Sequence, residues 1–225
     1  MAEENKGEIT YRQIKKNEEI NLLIERGNQV LNILGFTEHS KKHAAKVAET
    51  AGKILKDLGY GEKEIRLSKI AGYMHDIGNS INRHDHAHTG ALLAYGILKD
   101  LGMPLEDVLT VTTAIGNHDE STAFPVNPVA AALILADKTD VRYTRVRNRD
   151  FASFDIHDRV NYSVKKSEVH IEKDSHIELR LEIDTEMCAV MDYFEIFLNR
   201  MILCRKAAER LGLEFWLWIN GQRLI

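Results

Sequence analysis

The stretch "AGYMHDIGNS", Ala71–Ser80, decides how this chain is read. An apolar segment reaches His75 and Asp76 side by side and meets Gly78 almost at once. A polar helix terminus meeting solvent is one explanation; a metal site is the other. A carboxylate has two oxygens and can bridge two cations, so an adjacent imidazole and carboxylate let one short backbone segment serve a two-metal centre. The surrounding sequence chooses between the two.

Working outward, apolar spacing predicts helices over 17–35, 40–58 and 62–75. A fourth is read from "AHTGALLAYGILKDLG" (87–102), and a fifth opens at Pro104 and ends near "GNHDE". A sixth runs from Asn127-Pro128 through "VAAALILADKTDVRYTRV" to 146. The first 15 or so residues read as a loose arm. Beyond about residue 158 the period changes. Ile177, Leu179, Leu181 and Ile183 alternate with polar residues, as in a strand, and "VNYSVKKSEVHIE" alternates more loosely before them. "KDS" between them is a hairpin turn. A helix from about Glu186 to Leu211 follows, then "LEFWLWI" as a strand with a turn at Asn220–Gly221. Trp216 and Trp218 could stack on a base, but packing of this strand against the tail helix is the preferred reading. The fold class is therefore mainly α: a helical bundle over 17–150 with a small β-β-α-β appendage over 158–225.

Composition narrows the function. The 225 residues carry a formal net charge of −4, which argues against broad nucleic-acid binding, while leaving room for a local phosphate pocket. No apolar run approaches the roughly 18–20 residues that span a bilayer. "MAEENKGEIT" lacks the basic start and apolar stretch of a secretory signal, so a cytoplasmic protein is expected. Cys188 and Cys204, placed in one helix, would lie roughly 24 Å apart and are read as unpaired thiols.

Most of the ten histidines are not scattered. His39 opens helix two, His75 and Asp76 end helix three, His84, His86 and His88 precede or open helix four, and His118 ends helix five. Asp137 falls on the apolar stretch "LILADKTD", where a bare carboxylate must be paired or ligated. Such residues at the ends of successive helices can converge at one end of a bundle. Mixed imidazole and carboxylate donors suit first-row divalent ions, and the absence of a CxxC pair argues against a thiolate zinc site. Lys138, Arg142 and Arg145 follow Asp137 and are candidate cations for a phosphate, with Asp140 orienting one of them; a solvated helix face with surface ion pairs is the equal alternative. Asp119 and Glu120 are candidate acid–base groups or simple turn carboxylates.

In order, these residues follow the pattern H…HD…H…H…D and resemble the HD-domain superfamily of metal-dependent phosphohydrolases. "EHSKKHAAKVAETA" looks like its first-histidine helix, "AGYMHDIGN" like its HD signature and "LILADKTD" like its final aspartate helix. "HAHTGALLA" and "AIGNHDE" resemble the extra histidine motifs of dinuclear members. The layout over about 36–147 is similar to bacterial HD-domain dinucleoside tetraphosphatases, and the absence of a GYP triplet after His118 sets it apart from HD-GYP phosphodiesterases. The resemblance implies one metal held by His39, His75, Asp76 and Asp137 and a second held by Asp76, His86 and His118. His86 is preferred to His84 and His88 because Gly90 follows it in the family's H-x-x-x-G spacing. It further implies two divalent transition-metal ions per chain, iron or manganese foremost, with zinc, nickel and magnesium open. The implied activity is hydrolysis of a phosphate ester or anhydride of a nucleotide or similar small molecule by a metal-activated hydroxide, with Asp76 central to catalysis. Neither a nucleic-acid duplex nor a membrane is an expected partner, and pairing of two copies is left open. Asn79 stands where many such hydrolases carry a lysine, which keeps an alternative alive: a metal- or nucleotide-binding regulatory module with weak or lost catalysis.

Overall fold

The first helix is dictated locally. Thr10 caps Tyr11–Lys16 (α1): its hydroxyl accepts from Gln13 N while the Gln13 side chain accepts from Thr10 N, a reciprocal capping box. The segment read as a loose arm is thus helical from Tyr11, and Arg66 fastens its start by donating to Ile9 O at 2.8 Å. The computed structural model describes residues 8–148, 154 and 156–225; the beginning of the arm and the boundary near residue 150 fall outside them.

Six further helices build the bundle: Glu18–Ile33 (α2), Lys41–Asp57 (α3), Glu62–Met74 (α4), His86–Asp100 (α5), Leu105–Gly116 (α6) and Pro128–Lys138 (α7). Side chains of Asn17, Ser40 and Asn127 cap α2, α3 and α7 by accepting backbone N–H groups. Every residue from Val129 to Ala136 is buried, so α7 is apolar all round and runs through the centre, against α3, α4 and α6. It does not continue to 146 as predicted. Thr139 N makes its last helical bond, to Leu135 O, and the Asp140 carboxylate then turns to His43 and Arg142. A short 3₁₀ turn at Tyr143–Arg145 follows.

The tail begins with an unpredicted helix, Ile156–Ser163 (α8), so the loosely alternating run becomes a strand only at Val164. Strands Val164–Glu172 (β1), His176–Ile183 (β2), Glu214–Ile219 (β3) and Gln222–Arg223 (β4) form one sheet in that order. β1 and β2 are antiparallel, and β3 joins β2 in parallel after the crossover helix Val190–Arg210 (α9). Cys188 precedes α9 instead of lying on it; both cysteines are buried and free. Ile177, Leu179 and Leu181 of β2 and Phe215, Leu217 and Ile219 of β3 share the buried face. Trp216 and Trp218 point the other way, as strand alternation requires, so they do not pack on the tail helix as expected. Trp216 instead stacks on His176, with ring centroids 3.4 Å apart, under the Arg223 guanidinium. Helix α9 packs on α7, which brings the tail against the bundle end that carries the histidines. Among the described residues no helix is long and apolar enough to cross a membrane.

Candidate metal centre

The glycine of "HDIG" explains why the motif can form a site. Helix α4 stops at Met74, and the chain turns through His75 and Asp76 into a 3₁₀ turn at Ile77–Ser80. A Cβ on Gly78 would meet His86 O at 2.0 Å and Gly90 N at 2.5 Å. Only glycine lets the first turn of α5, with His86 at its start, come this close to the His75–Asp76 corner.

Four imidazoles then line up: His43–His75, His75–His118 and His118–His86 have ring centroids 5.3, 5.0 and 5.1 Å apart. Each is oriented through Nδ1. His75 faces Gly72 O at 2.9 Å, His86 faces Arg83 O at 3.1 Å, His118 faces Ile115 O at 2.6 Å, and His43 faces Asp140 Oδ2 at 2.7 Å. Carbonyl and carboxylate oxygens only accept, so Nδ1 carries the proton and Nε2 presents a lone pair, the arrangement that orients histidine for a metal.

Asp76 stands between two donor groups. Its Oδ2 is 3.1 Å from His75 Nε2 and 3.9 Å from His43 Nε2, while its Oδ1 is 3.6 Å from His86 Nε2 and 3.9 Å from His118 Nε2. Asp137 Oδ1 completes the first group, 3.3 Å from His43 Nε2 and 3.6 Å from His75 Nε2. Ligand atoms of His43, His75 and Asp76, of His75, His118 and Asp137, and of Asp76, His86 and His118 each cluster within 4.8 Å. His43 Nε2, His75 Nε2 and Asp76 Oδ2 are buried yet make no hydrogen bond. Buried polar atoms are normally satisfied; lone pairs converging on carboxylate oxygens are the environment that a cation satisfies, so the donor set fits divalent metal.

Electrostatics agree. Burial would raise the carboxyl of Asp137, but Lys138 and the neighbouring imidazoles outweigh it and hold it well below the usual carboxylate range; Asp76 is held low in the same way by His75, His39 and His86. Burial, aided by His75 and Lys138, pushes His118 down to about 3, which keeps it neutral.

The set differs from the expected one at its first member. His43, passed over in the sequence, is the α3 residue among the clustered donors; His39 lies outside the three donor groups, before the Ser40 cap, with Nδ1 2.7 Å from Thr37 O and its ring 5.5 Å from that of His43. The signal was there: His43 shares the buried face of Val47, Ala48 and Ala51 at helical spacing, and His39 precedes the helix. His75, Asp76, His86, His118 and Asp137 come together as expected, while His84 and His88 are exposed.

A cavity of about 430 Å³ opens over this centre. Lys138 lines it, with Nζ 2.8 Å from Asp137 Oδ2, and so does the buried Arg145, which clamps Glu38 O and Asp140 O. Arg142 does not line it: its guanidinium is bound to Asp140, because the chain leaves the helix after Lys138 and the two arginines share no helical face. Among the lining residues not foreseen are two arginines and a histidine. Arg83 follows the 3₁₀ turn, and from the tail come His157 of α8 and Arg200 of α9, the latter bonded to Glu120 at 2.8 Å. Glu120 is also 3.6 Å from Lys138, and Asp119 Oδ1 is 3.9 Å from His86 Nε2. Leu34, Phe36, Ile196 and Phe197 form the apolar part of the wall. Asn79, where the resemblance leads one to expect a lysine, is buried and donates to Asp76 Oδ1 at 2.9 Å, so it orients that carboxylate.

Residues 41–142 match the family model described as HD domain, a span that contains His43 and excludes His39. An uncharacterized protein of Methanocaldococcus jannaschii (MJ1020) is 27% identical over 201 residues, covering 79% of this chain and 77% of that protein. Ribonuclease Y of Oceanobacillus iheyensis is 32% identical over 100 residues, 43% of this chain but 18% of that protein. Ribonuclease Y of Aster yellows witches'-broom phytoplasma is 31% identical over 104 residues, again 18% of its length.

Proposed function

From the HD domain that places this chain in the superfamily of metal-dependent phosphohydrolases, we propose that it cleaves a phosphate ester or anhydride of a nucleotide or similar small molecule. One observation carries the reading: the buried, unbonded ligand atoms of His43, His75 and Asp76 lie beneath a cavity lined by Arg83, Lys138, Arg145 and Arg200. His43, His75, Asp76 and Asp137 would hold one ion, and Asp76, His86 and His118 a second. Divalent ions bound there supply Lewis acidity and an ionised water near neutral pH. The chain's own work is positioning. Asp140 and the backbone carbonyls fix the imidazoles, Asn79 fixes Asp76, and the four cations offset phosphate charge. The apolar wall at Phe36 and Phe197 suits a base or sugar, and the cavity's size favours one nucleotide over a duplex.

The alternative, a binding module without catalysis, rested on the missing lysine. Asn79 serves Asp76 and cations still line the cavity, which favours an enzyme. Product release by the Mn²⁺- or Fe²⁺-loaded protein, followed as inorganic phosphate from nucleoside mono-, di- and triphosphates and as free nucleotides from dinucleoside polyphosphates and a single-stranded oligoribonucleotide, tests this. Release is expected and is lost in Asp76→Ala. Metal and nucleotide binding without turnover of any member of the panel would establish the binding module instead.

A further inference from the structure

The two halves of the centre are not equivalent. In the half built by His43, His75 and Asp76 Oδ2, the ligand atoms make no hydrogen bond. In the other half, His86 is held at both nitrogens by one residue. Its Nδ1 donates to Arg83 O at 3.1 Å, and Arg83 Nη1 lies 3.3 Å from its Nε2, the lone pair that a second ion needs. The same Nη1 is 3.4 Å from Asn79 Oδ1, so the guanidinium is mounted on the residue that orients Asp76. Its carbon also lies 5.3 Å from the Phe36 ring, on the cavity wall, which gives the side chain a second seat nearby.

A guanidinium and a divalent cation cannot both approach His86 Nε2 without strong repulsion. An oxyanion between them removes the conflict, since arginine binds phosphate oxygens in a fork and the metal takes another oxygen. We propose that Arg83 couples the second ion to the substrate's phosphate: the ion at Asp76, His86 and His118 binds tightly only together with an oxyanion that draws the guanidinium off His86. This rests on the metal-centre reading above. The first ion is resident and the second arrives with substrate. Linkage makes the coupling reciprocal, so metal tightens phosphate by the factor by which phosphate tightens metal.

Calorimetric titration of the metal-free full chain with Mn²⁺, with and without inorganic phosphate, tests the coupling. Without phosphate, one ion binds tightly and a second weakly. Phosphate tightens the second by about tenfold or more, and Mn²⁺ tightens phosphate by the same factor. In Arg83→Ala the first ion is retained, which certifies the fold, and the second binds tightly without phosphate. Two ions of equal affinity in the phosphate-free wild type would overturn the coupling and leave the metal centre standing. Phosphate dependence that persists in Arg83→Ala would overturn it too. Failure to bind any Mn²⁺ would overturn the metal centre itself, and the coupling with it.

Discussion

Asp140 touches no proposed metal, yet it should control metal affinity. Its buried carboxylate accepts from His43 Nδ1 at 2.7 Å on Oδ2, and from Arg142 Nε at 2.5 Å on Oδ1 and Nη2 at 2.9 Å on Oδ2. Asp140→Asn keeps the shape and removes one acceptor. If the amide oxygen faces His43, the amide NH₂ meets the Arg142 guanidinium, donor against donor. If the amide is flipped, its NH₂ faces His43 Nδ1, moves the ring proton to Nε2, and removes the lone pair directed at Asp76 and Asp137. In the flipped case His43 loses the acceptor that orients it; in the other it keeps a neutral acceptor in place of a charged one, no longer seated by Arg142. Outer-sphere partners of this kind contribute about 10–100-fold to metal affinity, or about 1.4–2.7 kcal/mol. Mn²⁺ titration of wild type and variant at equal pH reads the change, with His43→Ala and His39→Ala as comparators. His43→Ala should weaken the first ion more than Asp140→Asn does, and His39→Ala less. An Asp140→Asn protein that binds Mn²⁺ within about twofold of wild type, well short of that range, would refute the argument from orientation. A His39→Ala loss exceeding that of His43→Ala would return the first ligand to His39.

Two further outcomes follow from the same geometry. Gly78→Ala places a methyl against backbone atoms of His86 and Gly90, so it should destabilise by about 1–3 kcal/mol or more in urea unfolding and weaken the second ion; an unchanged midpoint would contradict the close approach. The metal-free protein should also lose stability as pH falls below the ordinary histidine value of about 6.5. His118, pushed down to about 3, and His86 and His39, also lowered, stay neutral in the folded state while the unfolded chain takes up protons. His75, raised by Asp76 and Asp137 against its burial, works in the opposite sense and is outnumbered. The urea midpoint is therefore expected to be lower at pH 5.5 than at pH 7.5, and an equal or higher value would count against the buried neutral imidazoles.

Periodicity was enough to read α2 to α6, because their apolar faces repeat at helical spacing, and α2 and α3 also open on side-chain caps. The same holds for β2, β3 and the Asn220–Gly221 turn, whose positive φ values of 49° and 80° suit that pair. His75, Asp76, His86, His118 and Asp137 were legible because each sits at or near a helix end in a recognisable motif. What failed did so where long-range contacts override local pattern. α7 ends early because Asp140 is claimed by His43, 97 positions away. The choice of His43 over His39 depends on which face of α3 turns inward. Arg83, His157 and Arg200 reach the cavity only because Gly78 lets α5 close on the HD corner and α9 packs on α7. Sequence alone determined which elements form and which donors are available, since these are local properties. Tertiary structure decided which donors meet and which cations face them, since that depends on chain segments far apart in sequence.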